Sequence, residues 1–71
     1  MQGAKWTAPY HGVQHTEKDK HGRRCSVQDN KQWAELHMWF EGCGFSPKTS
    51  AYDTTAQARE AGEKWLASYG A

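Results

Sequence analysis

Apolar and polar residues alternate most clearly in "NKQWAELHMWFEG", residues 30 to 42, the most apolar run of the chain. Read as a strand, Ala34, Leu36, Met38 and Phe40 line one face, and Trp33, Glu35, His37 and Trp39 line the other. Read as a helix, Trp33, Leu36, His37 and Phe40 share a face, and Asp29 and Gln32 have a capping-box-like spacing. The helix would leave Ala34, Met38 and Trp39 on its back, apolar nearly all round, in a chain with little core to bury it. The strand sorts its residues better, and residues 32–40 are expected to run extended.

The period changes in "YDTTAQAREAGEKWLASYG". Ala58, Ala61, Trp65 and Tyr69 fall at helical intervals with Leu66 beside them, small residues early and large ones late. Asp53 or Thr54 can cap this segment, Thr54 to Gln57 has capping-box spacing, and Gly70 suits a C-terminal stop. A helix over residues 54–69 follows. Gly62 in its interior costs about 1 kcal/mol relative to Ala, which points to a close backbone approach. "SPKTSAY", "GRRCSVQ" and "PYHGVQH" read as further short strands. "EGCGFSP" reads as a loop, Asp29-Asn30 as a turn and "TEKDKHG" as a solvated hairpin loop. The expected fold is α+β: an antiparallel sheet of about three strands with one C-terminal helix packed on one face. Residues 1–71 form a single domain, with 1–9 as a flexible arm. One sheet face is then left uncovered, displaying Trp33, His37 and Trp39.

Three stretches resemble small sheet-plus-helix DNA-binding units of the AP2 and integrase-arm types. "YHGVQ" (Tyr10 to Gln14) is similar to their first strand, "WAEL" (Trp33 to Leu36) to a Trp-bearing second strand, and "AYDTTAQAREA" (Ala51 to Ala61) to the entry to the helix. The resemblance covers about a third of the chain and implies a sheet that meets DNA. In that family several Arg on the sheet make the contact, whereas "WAELHMWF" contains none.

Length and composition narrow the functional classes. The 71 residues suffice for one small core, to which four Trp, three Tyr and two Phe bring large buried areas. No apolar run of roughly 18 residues is present, so no membrane span is expected. "MQGAKWTAPY" lacks the apolar core of a signal peptide, so a cytoplasmic location is expected. Net charge is only +1, but residues 1–31 carry +3 and residues 32–71 carry −2. Such asymmetry marks a face that meets an anion.

Nucleic acid is therefore the first expectation. Arg23, Arg24, Lys18, Lys20 and Lys31 would meet phosphates, and Trp33, His37 and Trp39 would complete the contact set. The alternative is a protein-binding inhibitor or adaptor, such as small phage or mobile-element proteins are, docking through an exposed Trp/Met face or a free sheet edge.

No cofactor, small-molecule substrate or metal is expected. His11, His15, His21 and Cys25 are the weak candidates for zinc, at a spacing that does not match a Cys–Cys finger. Cys25 and Cys43 read as free buried thiols, with a disulfide as the alternative. Catalysis would need Cys25 activated by Arg23 and Arg24 with His21 as base, and a pocket that so short a chain has little room for. The protein is expected not to be an enzyme.

Overall fold

Residues 34–39 run extended, and the rest of the architecture is arranged around them. The computed structural model of the protein describes residues 5–68. Its elements are β1 (Val13–His15), β2 (Arg24–Asp29), β3 (Ala34–Trp39), β4 (Lys48–Tyr52) and α1 (Thr55–Ala67). The strands form one sheet in the order β1-β2-β3-β4, every neighbouring pair antiparallel. The α+β architecture expected from the alternation is present, with four strands in place of three. The fourth arises because both "VQH" and "KTSAY" pair, one on each side of the central β2–β3 hairpin.

Register fixes which side chains meet the helix. Val27 pairs with Leu36, Cys25 with Met38, and Leu36 with Ser50. Because successive strand residues point to opposite faces, the alternate positions Cys25, Val27, Ala34, Leu36 and Met38 form one apolar surface. All five are buried, and with Ala58 of α1 they make up the core. Trp6, Tyr52, Ala61, Trp65 and Leu66 pack around them, partly exposed.

The helix begins where the sequence places its cap. Thr54 is extended, at φ −134 and ψ 159, and its hydroxyl accepts from the Gln57 backbone N–H at 3.1 Å. Gln57 Oε1 reaches back to accept from the Asp53 N–H at 3.2 Å, so the capping exchange satisfies two otherwise orphaned backbone donors. At the other end the helix closes on Ser68, whose N–H donates to the Lys64 carbonyl at 3.0 Å. Tyr69 and Gly70, expected as the last stripe residue and the stop, lie outside the described residues.

Gly62 sets the helix-to-sheet distance. A Cβ at this position would lie 3.1 Å from Leu36 Cδ1, 3.2 Å from Cys25 Sγ and 3.4 Å from Cys25 Cβ. The Cys25 thiol fills the same space and points to the Gly62 carbonyl at 3.7 Å. The helix therefore lies directly on the β2–β3 side chains, and the interior glycine is the residue that lets it do so.

The N-terminal segment folds back rather than waving free. His11 and Gly12 both have positive φ, 52 and 78, which is the backbone of a tight two-residue hairpin turn. Tyr10 and Val13 exchange backbone bonds across it at 2.9 and 3.0 Å. Residues 6–10 thus run alongside β1: Trp6 bridges to Thr16, and the Thr7 N–H donates to the His15 carbonyl at 2.9 Å. Trp6 Nε1 donates to Glu63 Oε2 of the helix at 2.7 Å. The flexible arm expected over residues 1–9 is, from Trp6 onward, tied to both β1 and α1. Its first four residues lie outside the described ones.

The helix–sheet contact is open to direct test. Gly62→Val should lower stability by about 1–3 kcal/mol, the usual cost of overpacking a filled core, read as a lower urea midpoint at unchanged slope. A Val variant as stable as the parent would show that contact at Gly62 does not set the helix position.

Candidate functional site

The sheet face turned away from α1 carries a set of side chains quite different from the core. Three cross-strand rows follow from the register. His15, Ser26, His37 and Thr49 form the central row; Val13, Gln28, Glu35 and Ala51 lie beside it; Arg24 and Trp39 pair at the end. Among the described residues, no helix or further strand packs on this face, since α1 contacts β2, β3 and β4 from the other side.

The face is held by its own polar contacts. His37 Nε2 lies 3.2 Å from Glu35 Oε1, and Nδ1 lies 3.3 Å from Thr49 Oγ1. The Thr49 hydroxyl also lies 3.4 Å from the Pro47 carbonyl, to which it donates. The ring is held between side chains of β3 and β4. Arg24 lies over Trp39, its guanidinium carbon 4.8 Å from the ring centroid, and its Nη1 stands 3.4 Å from Ser26 Oγ. Trp39 is half-buried under this cation, with its indole nitrogen sealed from solvent. The outcome is a surface of hydroxyls, imidazoles, an amide, a carboxylate and a guanidinium, with Val13 and Ala51 beside them.

The residues expected from sequence to make contact fall into three places. Arg24, His37 and Trp39 stand together on the open face. Arg23 does not join them. It is 6 % exposed and lies on the helix side, its guanidinium carbon 5.7 Å from the Trp65 ring centroid and its Nη2 3.4 Å from Asp19 Oδ2. The reason is parity: Arg23 and Arg24 are neighbours on an extended segment, so only one can face outward. Lys31 and Trp33 sit in the β2–β3 turn, where Lys31 has φ 75 and its N–H donates to Asp29 Oδ1 at 2.8 Å. Trp33 is 40 % exposed. It stands about 20 Å from Trp39 at the ordinary strand rise, too far for the two indoles to make one patch. Met38 belongs to the core at 7 % exposure, so no Trp/Met face is displayed.

The alternation of its strand already places Glu35 on this face, and His15 enters the sequence reading only as a metal candidate. Ser26, Gln28 and Thr49 are not among the expected contact residues. The alternation in "RCSVQD" carries the signal for Ser26 and Gln28. His15 and Thr49 join the face only once β1 and β4 are placed in register.

Two loops meet at the Arg24–Trp39 end. The β1–β2 loop (residues 16–23) carries Lys18 and Lys20, and the β3–β4 loop (residues 40–47) leads into Lys48. They touch where Gly22 packs on Glu41, since a Cβ there would lie 3.1 Å from Glu41 Oε2. Lys18, Lys20 and Lys48 are all exposed. Asp19 is occupied inside its own loop, where Oδ1 accepts from the His21 and Arg23 backbone N–H groups at 2.8 and 2.9 Å. Burial works against its charge. The two backbone donors and the Arg23 guanidinium outweigh burial and hold the carboxyl below its ordinary 3.8.

The metal and nucleophile candidates are not brought together. His11 is in the Tyr10–Val13 turn, His15 on the open face, His21 in the β1–β2 loop, and Cys25 in the core. Among the described residues no group of three or more His, Cys, Asp or Glu is placed to hold a metal ion. Cys25 and Cys43 are both free thiols, Cys25 in the core and Cys43 partly exposed in the β3–β4 loop. Activation of Cys25 by the neighbouring arginines is contradicted. Burial, with a smaller contribution from Asp19, pushes its thiol up to about 12 from the ordinary 9.0. No helix among the described residues is long and apolar enough to cross a membrane.

No family model, curated protein or solved structure matches the chain. The arrangement of its own side chains is therefore what a functional reading has to stand on.

The thiols give a chemical test of this geometry. A raised thiol pKa favours the neutral form in the folded state. Its contribution to stability is complete below the ordinary value of 9.0 and is lost as pH climbs through about 12. At pH 8, iodoacetamide should alkylate Cys43 rapidly and leave Cys25 unmodified until urea is added, as peptide mapping would read. Equal labelling of both would contradict the sealed core.

Proposed function

We propose that the protein binds duplex DNA, with the open sheet face presented to the major groove. The observation that carries this reading is the chemistry of that face. Ser26, Gln28, His15, His37, Thr49 and Arg24 offer donors and acceptors in cross-strand rows on rigid strands. These are the groups that read base edges. A protein-docking surface would instead be expected to present aromatic or aliphatic anchors at its centre, whereas here the central row is polar and the indole at its end, Trp39, is covered by Arg24.

Adjacent strands lie about 4.8 Å apart, so the four strands span about 14 Å between outer axes. It is the central β2–β3 hairpin that would enter a major groove about 12 Å wide, with β1 and β4 at its rims. Strands enter that groove in known β-ribbon and β-sheet readers. The resemblance of "YHGVQ", "WAEL" and "AYDTTAQAREA" to sheet-plus-helix DNA-binding units points the same way.

Charge supplies the positioning contacts. Lys18, Lys20, Arg24 and Lys48 gather at one end of the sheet, while Asp19 is already engaged with Arg23. Glu17 and Glu41 in the same loops reduce the field there. Contacts to phosphate are consequently few, and affinity depends on the face as well as on its basic end. The four cations would neutralise about four phosphates, giving a slope of log K against log salt near −3.6 at about −0.9 per phosphate.

Fluorescence anisotropy with a labelled duplex of mixed sequence tests this across a salt series. The expected slope is about −3 to −4. Lys18→Gln, Lys20→Gln and Lys48→Gln should each reduce its magnitude by about one. Gln28→Ala should leave the slope alone and change which sequences are preferred. Absence of duplex binding at low salt would overturn the proposal. Salt-insensitive capture of a protein through the outer edge of β4, which has no strand partner among the described residues, would replace it with the adaptor reading.

A further inference from the structure

The β3–β4 loop carries an apolar side chain that the fold does not use. Phe45 is 100 % exposed, a large aromatic ring with no contact to the core. The part of the loop before it borders open space, since a Cβ built on Gly42 or on Gly44 would meet nothing within 4 Å. It is nevertheless braced. The Cys43 N–H donates to the Phe40 carbonyl at 3.2 Å, and the Ser46 N–H donates to the Cys43 carbonyl at 3.1 Å. Two successive turns thus hold Phe45 at the tip. Holding an apolar ring in water carries a free-energy penalty that a binding event would recover.

Position selects the occupant. The loop emerges from the Arg24–Trp39 end of the sheet, touches the β1–β2 loop through Glu41 and Gly22, and runs into Lys48. Phe45 is therefore an uncharged ring on a loop at the same end of the sheet as Lys18, Lys20, Arg24 and Lys48, with Glu17 and Glu41 in the same two loops. A polyanion with flat apolar faces between its charges fits that arrangement. Stacked bases behind phosphates are such a surface, and side chains like Phe enter between base steps as wedges from the minor groove, which flanks the major groove assigned to the open face.

We infer that Phe45 is a wedge: it inserts at a base step next to the stretch covered by the open face, and so favours sites where the bases are already easy to part. This rests on the proposed DNA-binding reading and adds to it a contact that carries no charge. Two consequences separate the wedge from the cations. Its removal lowers affinity by the same factor at every salt concentration, since no counterion is released with it. It also abolishes any preference for a locally weakened duplex.

The experiment uses two labelled 20-mer duplexes, identical except for one central mismatch, titrated across a salt series with the parent chain, Phe45→Ala and Phe45→Trp. Full exposure of Phe45 means the variants should fold as the parent does, and circular dichroism checks this. The parent and the Trp variant should bind the mismatched duplex about tenfold more tightly than the paired one, within the range that aromatic–base contacts supply. Phe45→Ala should bind both alike, on lines parallel to the parent's. If Phe45→Ala matches the parent on both duplexes, the wedge is wrong and the sheet-face reading survives. If the parent binds neither duplex, the underlying reading fails and the wedge with it. Phe45-dependent binding to phosphatidylserine vesicles without DNA binding would assign the loop to a lipid surface and overturn the inference.

Discussion

The contact between Gly62 and the Cys25–Leu36 pair is the constraint on which the rest of the molecule depends. With no Cβ at that turn, the helix descends until it meets the sulfur and the leucine methyl, and Ala58 one turn earlier reaches the same layer. One amphipathic helix, seated this closely, is enough to seal one face of a four-stranded sheet. Trp6 and Trp65 then close its edges, the first through its bond to Glu63. The fully buried apolar residues among those described lie on that side. The opposite face is mostly polar, with Val13, Ala51 and the Arg24-covered Trp39 among its hydroxyls and imidazoles.

This division explains why the two arginines at positions 23 and 24 have opposite fates. The segment enters β2 extended, so Cys25 in the core forces Arg23 to the helix side and Arg24 to the outside. Arg23 becomes structural, held between Trp65 and Asp19. Arg24 lies on Trp39 and presents its guanidinium edge at the end of the open face. Charge counted along the sequence overstates the basic surface, because one of its members is enclosed and a carboxylate is engaged with it. The remaining cations belong to two loops and the start of β4, gathered at one end of the sheet.

Much of the fold was legible in local pattern. The alternation from Ala34 to Trp39 separated buried from half-buried positions, though Phe40, expected on the buried face, falls past the strand and is exposed. Thr54 to Gln57 announced the helix start. Gly62 announced the close packing by being a poor helix residue in a good helix. The parts that resisted were those fixed by pairing between distant segments. "PYHGVQH" reads as a short strand, but its three paired residues, Val13 to His15, are too few to show where β2 would take them up. The return of residues 6–10 along β1 depends on His11 adopting a positive φ, which a sequence does not display. The open face suffered from the same limit. Its central row draws one residue from each of four strands, so His15, Ser26 and Thr49 become neighbours of His37 only through register. Trp33 and Trp39, by contrast, looked like one patch because they share a strand parity, and are separated by the length of the strand itself.

The account stands on the claim that the face opposite α1 is the binding face, and two-dimensional NMR of the labelled protein titrated with a short duplex addresses it residue by residue. The account predicts shifts concentrated on the amides of Ser26, Gln28, Glu35, His37 and Thr49, with those of Ala58 to Lys64 on the helix unmoved. Shifts centred on the helix, or confined to the outer strand β4, would contradict it.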